Sequence, residues 1–140
     1  MVNLSKSKYC ALWQCPKMLW LRKYKPELAE VDSHTLSIME TGNAVGDLAM
    51  GLFGDFTEVT VYTDGEIDLS AMVRRTQEEI KKDTSVICEA SFEWNGLYCA
   101  VDILRREGDG WSIYEVKSST SDDKAVYIAD VAYQKFVLEH

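Results

Sequence analysis

The chain has no apolar run approaching the ~20 residues that a membrane-spanning helix requires, so a bilayer is not expected as a partner. Its start, Met-Val-Asn-Leu-Ser-Lys-Ser-Lys, lacks the apolar core of a signal peptide, and the cytoplasm is the expected address. Repeats, low-complexity tracts and long Pro/Gly/Ser linkers are missing, which leaves 140 residues with 46% hydrophobic content to form one core and one domain. Cysteine is too sparse for a disulfide scaffold in a chain of this kind: there are four, Cys10, Cys15, Cys88 and Cys99. Positive charge is in short supply as well. The net charge of −8 sits awkwardly with nucleic-acid binding, where neutralising phosphates supplies much of the affinity.

The cations that are present cluster early. Lys6, Lys8, Lys17, Arg22, Lys23 and Lys25 are interleaved with Tyr9, Trp13, Trp20 and Tyr24. Two readings stand side by side: a surface for a nucleic-acid backbone and unpaired bases, with Lys17, Arg22 and Lys23 on the phosphates, or an amphipathic helical pair with its aromatics in the core and its lysines solvated. Arg74-Arg75 and Lys81-Lys82 lie among Glu78 and Glu79 and read as ordinary helix-surface pairing.

The richest stretch runs from Glu89 to Lys117. Asn95-Gly96 is the dipeptide preferred in a two-residue type I′ hairpin, because both central residues take positive φ. That turn sets Trp94 opposite Leu97 and Phe92 opposite Cys99, and brings Glu89 opposite Asp102. Cys88, Ala90, Phe92, Trp94, Leu97, Cys99, Val101 and Ile103 then share the other face, apolar throughout and expected to be buried. On that ladder Cys88 and Cys99 lie roughly 13 Å apart, too far to bridge, and read as small buried hydrophobes. A third strand entered through Glu107-Gly108-Asp109-Gly110 places Glu115 and Lys117 on the face of Asp102. Carboxylates held together in this way repel, and a divalent cation bound by oxygen donors would account for their convergence.

These residues resemble the PD-(D/E)XK nuclease superfamily, in particular its RecB-like branch. The resemblance is carried by Glu89, the Ala-Val-Asp102-Ile-Leu strand, Glu115-Val116-Lys117-Ser118-Ser119 and the later Ala132-Tyr133-Gln134. Upstream, Leu4-Ser-Lys-Ser-Lys and Gln14-Cys15-Pro16-Lys17-Met-Leu-Trp20-Leu look like the amino-terminal segment of CRISPR-associated and helicase-linked members. Gly42-x-x-Val45-Gly46-x-Leu48-Ala49 and Asp130-Val-Ala-Tyr-Gln134 are similar to an uncharacterised bacterial family of larger proteins.

The resemblance implies a restriction-endonuclease-like α/β core, in which a mixed central sheet with an antiparallel three-stranded meander is flanked by helices. It implies Mg²⁺- or Mn²⁺-dependent hydrolysis of phosphodiester bonds, of DNA in the first instance. Asp102, Glu115 and the Val116 carbonyl would be metal ligands, with Glu89 acting through water or at a second site. Lys117 would orient or deprotonate the attacking water and stabilise the transition state, and Gln134 would steer a phosphate or a metal-bound water. Related nucleases hold an iron–sulfur cluster through one early and three late cysteines. Cys15 matches the early position but no late trio exists, so a cluster is expected only in a full-length parent, and Cys15 otherwise packs beside Pro16 at a helix start.

One departure stands out. The metal-ligating histidine of many RecB-like members would fall at Gly46. Neither His34, read as a surface residue, nor His140 replaces it, and Asp47 should point about 100° away round the helix. Gly42, Gly46 and Gly51 read as positions of close helix packing.

Expected helices cover Ser5 to Gln14, Pro16 to Tyr24, Thr35 to Leu52, Leu69 to Lys82, and Asp123 to beyond Gln134. A strand is expected near Glu58 to Tyr62, and the meander should end near Ser118. Leu138-Glu139-His140 reads as an expression-tag remnant and the chain as one domain of a larger protein, whose other domains would be partners. Rival readings are a catalytically inactive nucleic-acid-binding or assembly module on the same fold, a redox sensor built round Cys15, and a generic α/β interaction domain.

Overall fold

Residues 2–140 are described by a computed structural model, and their fold is mixed α/β. In chain order the elements are β1 (Leu4–Ser5), α1 (Lys6–Gln14), α2 (Pro16–Tyr24), α3 (Ser33–Met50), β2 (Thr57–Glu58), β3 (Tyr62–Thr63), β4 (Glu66–Ile67), α4 (Leu69–Lys81), β5 (Val86–Trp94), β6 (Leu97–Glu107), β7 (Gly110–Tyr114) and α5 (Ala125–Leu138). Among the described residues, no helix is long and apolar enough to cross a membrane.

Local chemistry accounts for most helix starts. The Asp68 carboxylate accepts from the Ala71 amide at 2.8 Å and Asp32 from Thr35 at 2.8 Å, while Pro16 occupies the first turn of α2. In α4, Met72, Thr76 and Glu79 recur at helical spacing and are buried against β5, where the Thr76 hydroxyl accepts from the Ser91 amide at 2.8 Å.

The β5–β6 hairpin has the expected register, with Trp94 opposite Leu97 and Phe92 opposite Cys99. Asn95 and Gly96 take φ values of 48° and 82°, as a type I′ turn demands. Glu89 departs from the simple ladder. Cys88 pairs with Ile103 and Ala90 with Val101, so Glu89 and Asp102 lie between paired rungs, and Glu89 itself has φ of 57°. That conformation costs a non-glycine residue about 1–2 kcal/mol and kinks the strand.

The kink divides the single apolar face expected from alternation. Cys88 and Ile103 pack with Val86 against Ala49, Met50 and Phe53. Ala90 and Val101 instead join Ile87, Leu104 and Val59, with Ile80 and Leu138 over them. Cys88 and Cys99 are buried and all four cysteines are free. Burial pushes the Cys88 thiol up to about 11 and the Cys99 thiol up to about 12, in keeping with small inert hydrophobes.

Strand order places β6 at the centre. The sheet runs β1-β6-β5-β2, and β7 shares with β1 the edge of β6 that β5 leaves open. β1 and β2 are parallel to their neighbours, while β5 and β7 run antiparallel to β6. β1 advances along that edge until Ser5 faces Tyr98, and β7 approaches from the other end until Tyr114 faces Ile103. The segment of β6 at residues 99–102 is left as a notch between two strand ends that point at each other.

Several boundaries differ from expectation. The third meander strand stops at Tyr114, so Glu115 to Lys117 leave the sheet at the notch. The strand expected over Glu58 to Tyr62 is only Thr57–Glu58, followed by the small β3–β4 hairpin. Its turn, Asp64-Gly65, has φ values of 53° and 85°, the same turn chemistry as Asn95-Gly96. α5 starts at Ala125 rather than Asp123 and continues through Leu138; the His140 ring lies tilted against Phe136, with ring centroids 4.5 Å apart.

Candidate active site

The residues around the notch come from four parts of the chain. Asp102 lies on β6, Glu115 immediately follows β7, Lys6 immediately follows β1, and Asp130 and Gln134 project from α5. α5 is fastened over the notch by Tyr133, whose hydroxyl donates to the Leu4 carbonyl at 2.8 Å and whose ring stacks on Tyr9 at 4.8 Å. The i, i+4 spacing sets Asp130 and Gln134 on one helix face, and both are buried.

Glu115 is the hub. Lys6 Nζ donates to its Oε1 and Oε2 at 3.1 and 3.0 Å, Lys117 Nζ to Oε1 at 2.6 Å, and Gln134 Nε2 to Oε2 at 2.7 Å. Asp130 forms a second anchor, accepting from Lys117 at 2.8 Å and from Gln134 at 2.8 Å. Asp102 accepts from the Val116 amide at 2.7 Å, which ties the segment after β7 to β6. Lys6 Nζ also lies 4.0 Å from Asp102 Oδ1 and 3.9 Å from Asp130 Oδ1.

These contacts set the charge states. Burial acts to lower the Lys117 pKa, but its hydrogen bonds to Asp130 and Glu115 outweigh that and hold it well above the usual lysine range. Lys6 is likewise held up against its burial by Glu115, Asp102 and Asp130. Asp130 stays below the ordinary carboxylate range because Lys6, Lys117 and Gln134 overcome its burial. Glu89 is pushed up to about 7 by burial and then by the neighbouring Asp102 charge. Lys117 is thus held as a cation by its two carboxylate partners.

The site opens into two clefts. One, of about 870 Å³, is lined by Glu115 and Lys117 with Ser119, Thr120, Tyr127 and Lys135. The other, of about 570 Å³, lies between α3 and the sheet, lined by Glu89, Asp102 and Val116 with Gly46, Asp47 and Glu58. Asp47 borders the same cleft as Gly46. A Cβ built on Gly42, Gly46 or Gly51 meets nothing within 4 Å, so these glycines do not serve close packing.

The donor set suits a hard divalent cation. With Glu89 ionised, the carboxylates of Glu89, Asp102, Glu115 and Asp130 face two ammonium groups, Lys6 and Lys117, leaving an excess of two negative charges. Among the described residues, no cluster of three or more His, Cys, Asp or Glu side chains is arranged to hold a metal ion, and the Lys6 ammonium lies 3.0 Å from Glu115, 4.0 Å from Asp102 and 3.9 Å from Asp130.

Other residues singled out from the sequence lie elsewhere. Lys17, Arg22 and Lys23 are exposed on α2. Beside them Trp20 and Tyr24 are more than half exposed with ring centroids 5.3 Å apart, and Lys23 Nζ lies 5.2 Å from the Tyr24 ring. Cys15 caps the start of α2, half-buried and unpaired, and His34 is exposed on α3. Sequence reasoning missed Lys6 and Asp130 as members of the cluster. Asp130 carried a usable signal in its spacing from Gln134, whereas nothing local marks Lys6, 109 residues from Glu115. Comparison with protein-family models, with curated proteins and with solved structures finds no match to this chain.

Proposed function

We propose that this chain is a metal-dependent nuclease of the PD-(D/E)XK type, on a restriction-endonuclease-like core, that hydrolyses phosphodiester bonds, of DNA in the first instance. The observation that carries the reading is the meeting of Asp102, Glu115, Lys117 and Gln134 at one notch in the sheet, beside two open clefts. Asp102, Glu115 and the Val116 carbonyl would hold Mg²⁺ or Mn²⁺, with Glu89 at the adjacent position. The bound cation supplies charge neutralisation at a phosphoryl oxygen and lowers the pKa of water.

The protein's own groups divide the remaining work. Lys117 is a fixed positive charge that can meet the charge developing on the phosphoryl oxygens, and its two carboxylate anchors keep it in place. Gln134 holds Glu115 and Asp130 in register and so positions both Lys117 and a ligand carboxylate. The cleft beside Lys117 carries Lys135 and the hydroxyls of Ser119 and Thr120, donors suited to a nucleic-acid backbone.

The test is cleavage of end-labelled single- and double-stranded DNA with Mg²⁺, Mn²⁺ or EDTA. Lys117→Ala and Asp102→Ala are each expected to lose activity at least about a hundredfold. The ion pair of Lys6 with Glu115 favours a second reading, a binding module on the same fold whose site is neutralised from within. DNA binding without metal-dependent cleavage would select that one.

A further inference from the structure

Lys6 occupies the centre of the acidic cluster in a manner unlike Lys117. Lys117 bridges two carboxylates, donating at 2.6 Å to Glu115 and at 2.8 Å to Asp130, so that two elements hold it. Lys6 makes both of its hydrogen bonds to one carboxylate, Glu115, and faces Asp102 and Asp130 at 4.0 and 3.9 Å, beyond hydrogen-bond reach. Its side chain is 19% exposed, at the first residue of α1. A cation there is opposed by the helix dipole, so its seat depends on the carboxylates alone.

We infer that Lys6 is a tethered internal counter-ion that competes with the divalent cation for Glu115 and Asp102, and that it must leave this position for the metal to bind. The inference rests on the metal-site reading above. Mg²⁺ needs carboxylate oxygens at about 2.0–2.1 Å, which would bring it within a few ångströms of an ammonium group lodged against both Glu115 oxygens. Two cations do not share that space, and a four-carbon stem lets the lysine withdraw while its backbone stays in place beside β1. The topology makes the competition possible: β1 ends opposite Tyr98 and β7 opposite Ile103, so the residue after each strand enters the notch between them.

Calorimetric titration of Mn²⁺ into the chain tests this, comparing wild type, Lys6→Met, Lys6→Gln and the exposed control Lys81→Met. Mn²⁺ should bind both Lys6 variants at least roughly tenfold more tightly than wild type, with the control unchanged. Equal or weaker binding by folded Lys6 variants, where wild type binds and Glu115→Gln does not, overturns the role of Lys6 and leaves the metal site standing. No Mn²⁺ binding by any variant overturns both.

Lys6→Gln keeps a donor to Glu115 in case Lys6→Met fails to fold. The wild type gives an independent readout through lysine-ammonium nitrogen resonances. Titration with Mg²⁺ should move the Lys6 signal to a solvent-exposed lysine position and leave Lys117 in an ion-paired one, and a Lys6 signal unaffected at metal saturation would refute the competition.

Discussion

Asp130 shows how much one buried carboxylate can hold. It accepts from both Lys117 and Gln134, and its side chain is only 4% exposed. Asp130→Ala strands Lys117 on a single partner at Glu115, and a loss of about 3 kcal/mol in stability is expected by chemical denaturation. Glu89 makes the opposite contribution. Its carboxyl titrates at about 7 in the fold, above the ordinary carboxylate range of the unfolded chain. The native state therefore binds the extra proton between those values, and the contribution of Glu89 to stability is fullest below the ordinary carboxylate range and is lost as pH rises through about 7. In EDTA, Glu89→Gln should raise the melting temperature at pH 8, by the equivalent of about 1 kcal/mol after allowance for solvent screening, and leave it nearly unchanged at pH 4.

At the scale of elements, α3 is the least anchored part of the chain. None of its residues is buried, and Leu36, Ile38, Met39 and Leu48 are 49% to 83% exposed. Its glycines meet open space, so Gly42→Ala should stabilise the helix by about 0.5–1 kcal/mol, read from the melting curve. Gly46 has the same freedom and borders the cleft of Glu89 and Asp102. Gly46→His would add an imidazole beside those carboxylates, and tighter Mn²⁺ binding by calorimetry is the expected result. The start of α4 and the central hairpin turn were legible because a capping Asp or an Asn-Gly pair acts within a few residues, whereas the Asp64-Gly65 hairpin was passed over. The kink at Glu89 was not, since no residue type there announces a positive φ, and the division of the apolar face followed from it.

For the molecule as a whole, stability should be uneven. β5 and β6 are paired with each other, covered by α4 and α5, and contain most of the fully buried side chains, whereas α3 touches the sheet near its carboxyl end. Amide hydrogen exchange should accordingly be slowest in β5 and β6 and markedly faster along the first half of α3. Exchange in α3 as slow as in the central hairpin would show that its exposed face is covered in solution.

The amino-acid sequence alone determined the mixed α/β layering, the central hairpin and its register, and the candidacy of Asp102, Glu115 and Lys117. Each of these follows from periodicity, turn chemistry or spacing within a few tens of residues. Only the tertiary structure decided that Lys6 and Asp130 complete the cluster and that Lys117 is held as a cation. Lys6 reaches Glu115 because β1 and β7 end at the same notch of β6, and the charge on Lys117 depends on its distances to two carboxylates from different elements. Strand order and through-space electrostatics are properties of the folded chain that no local pattern encodes.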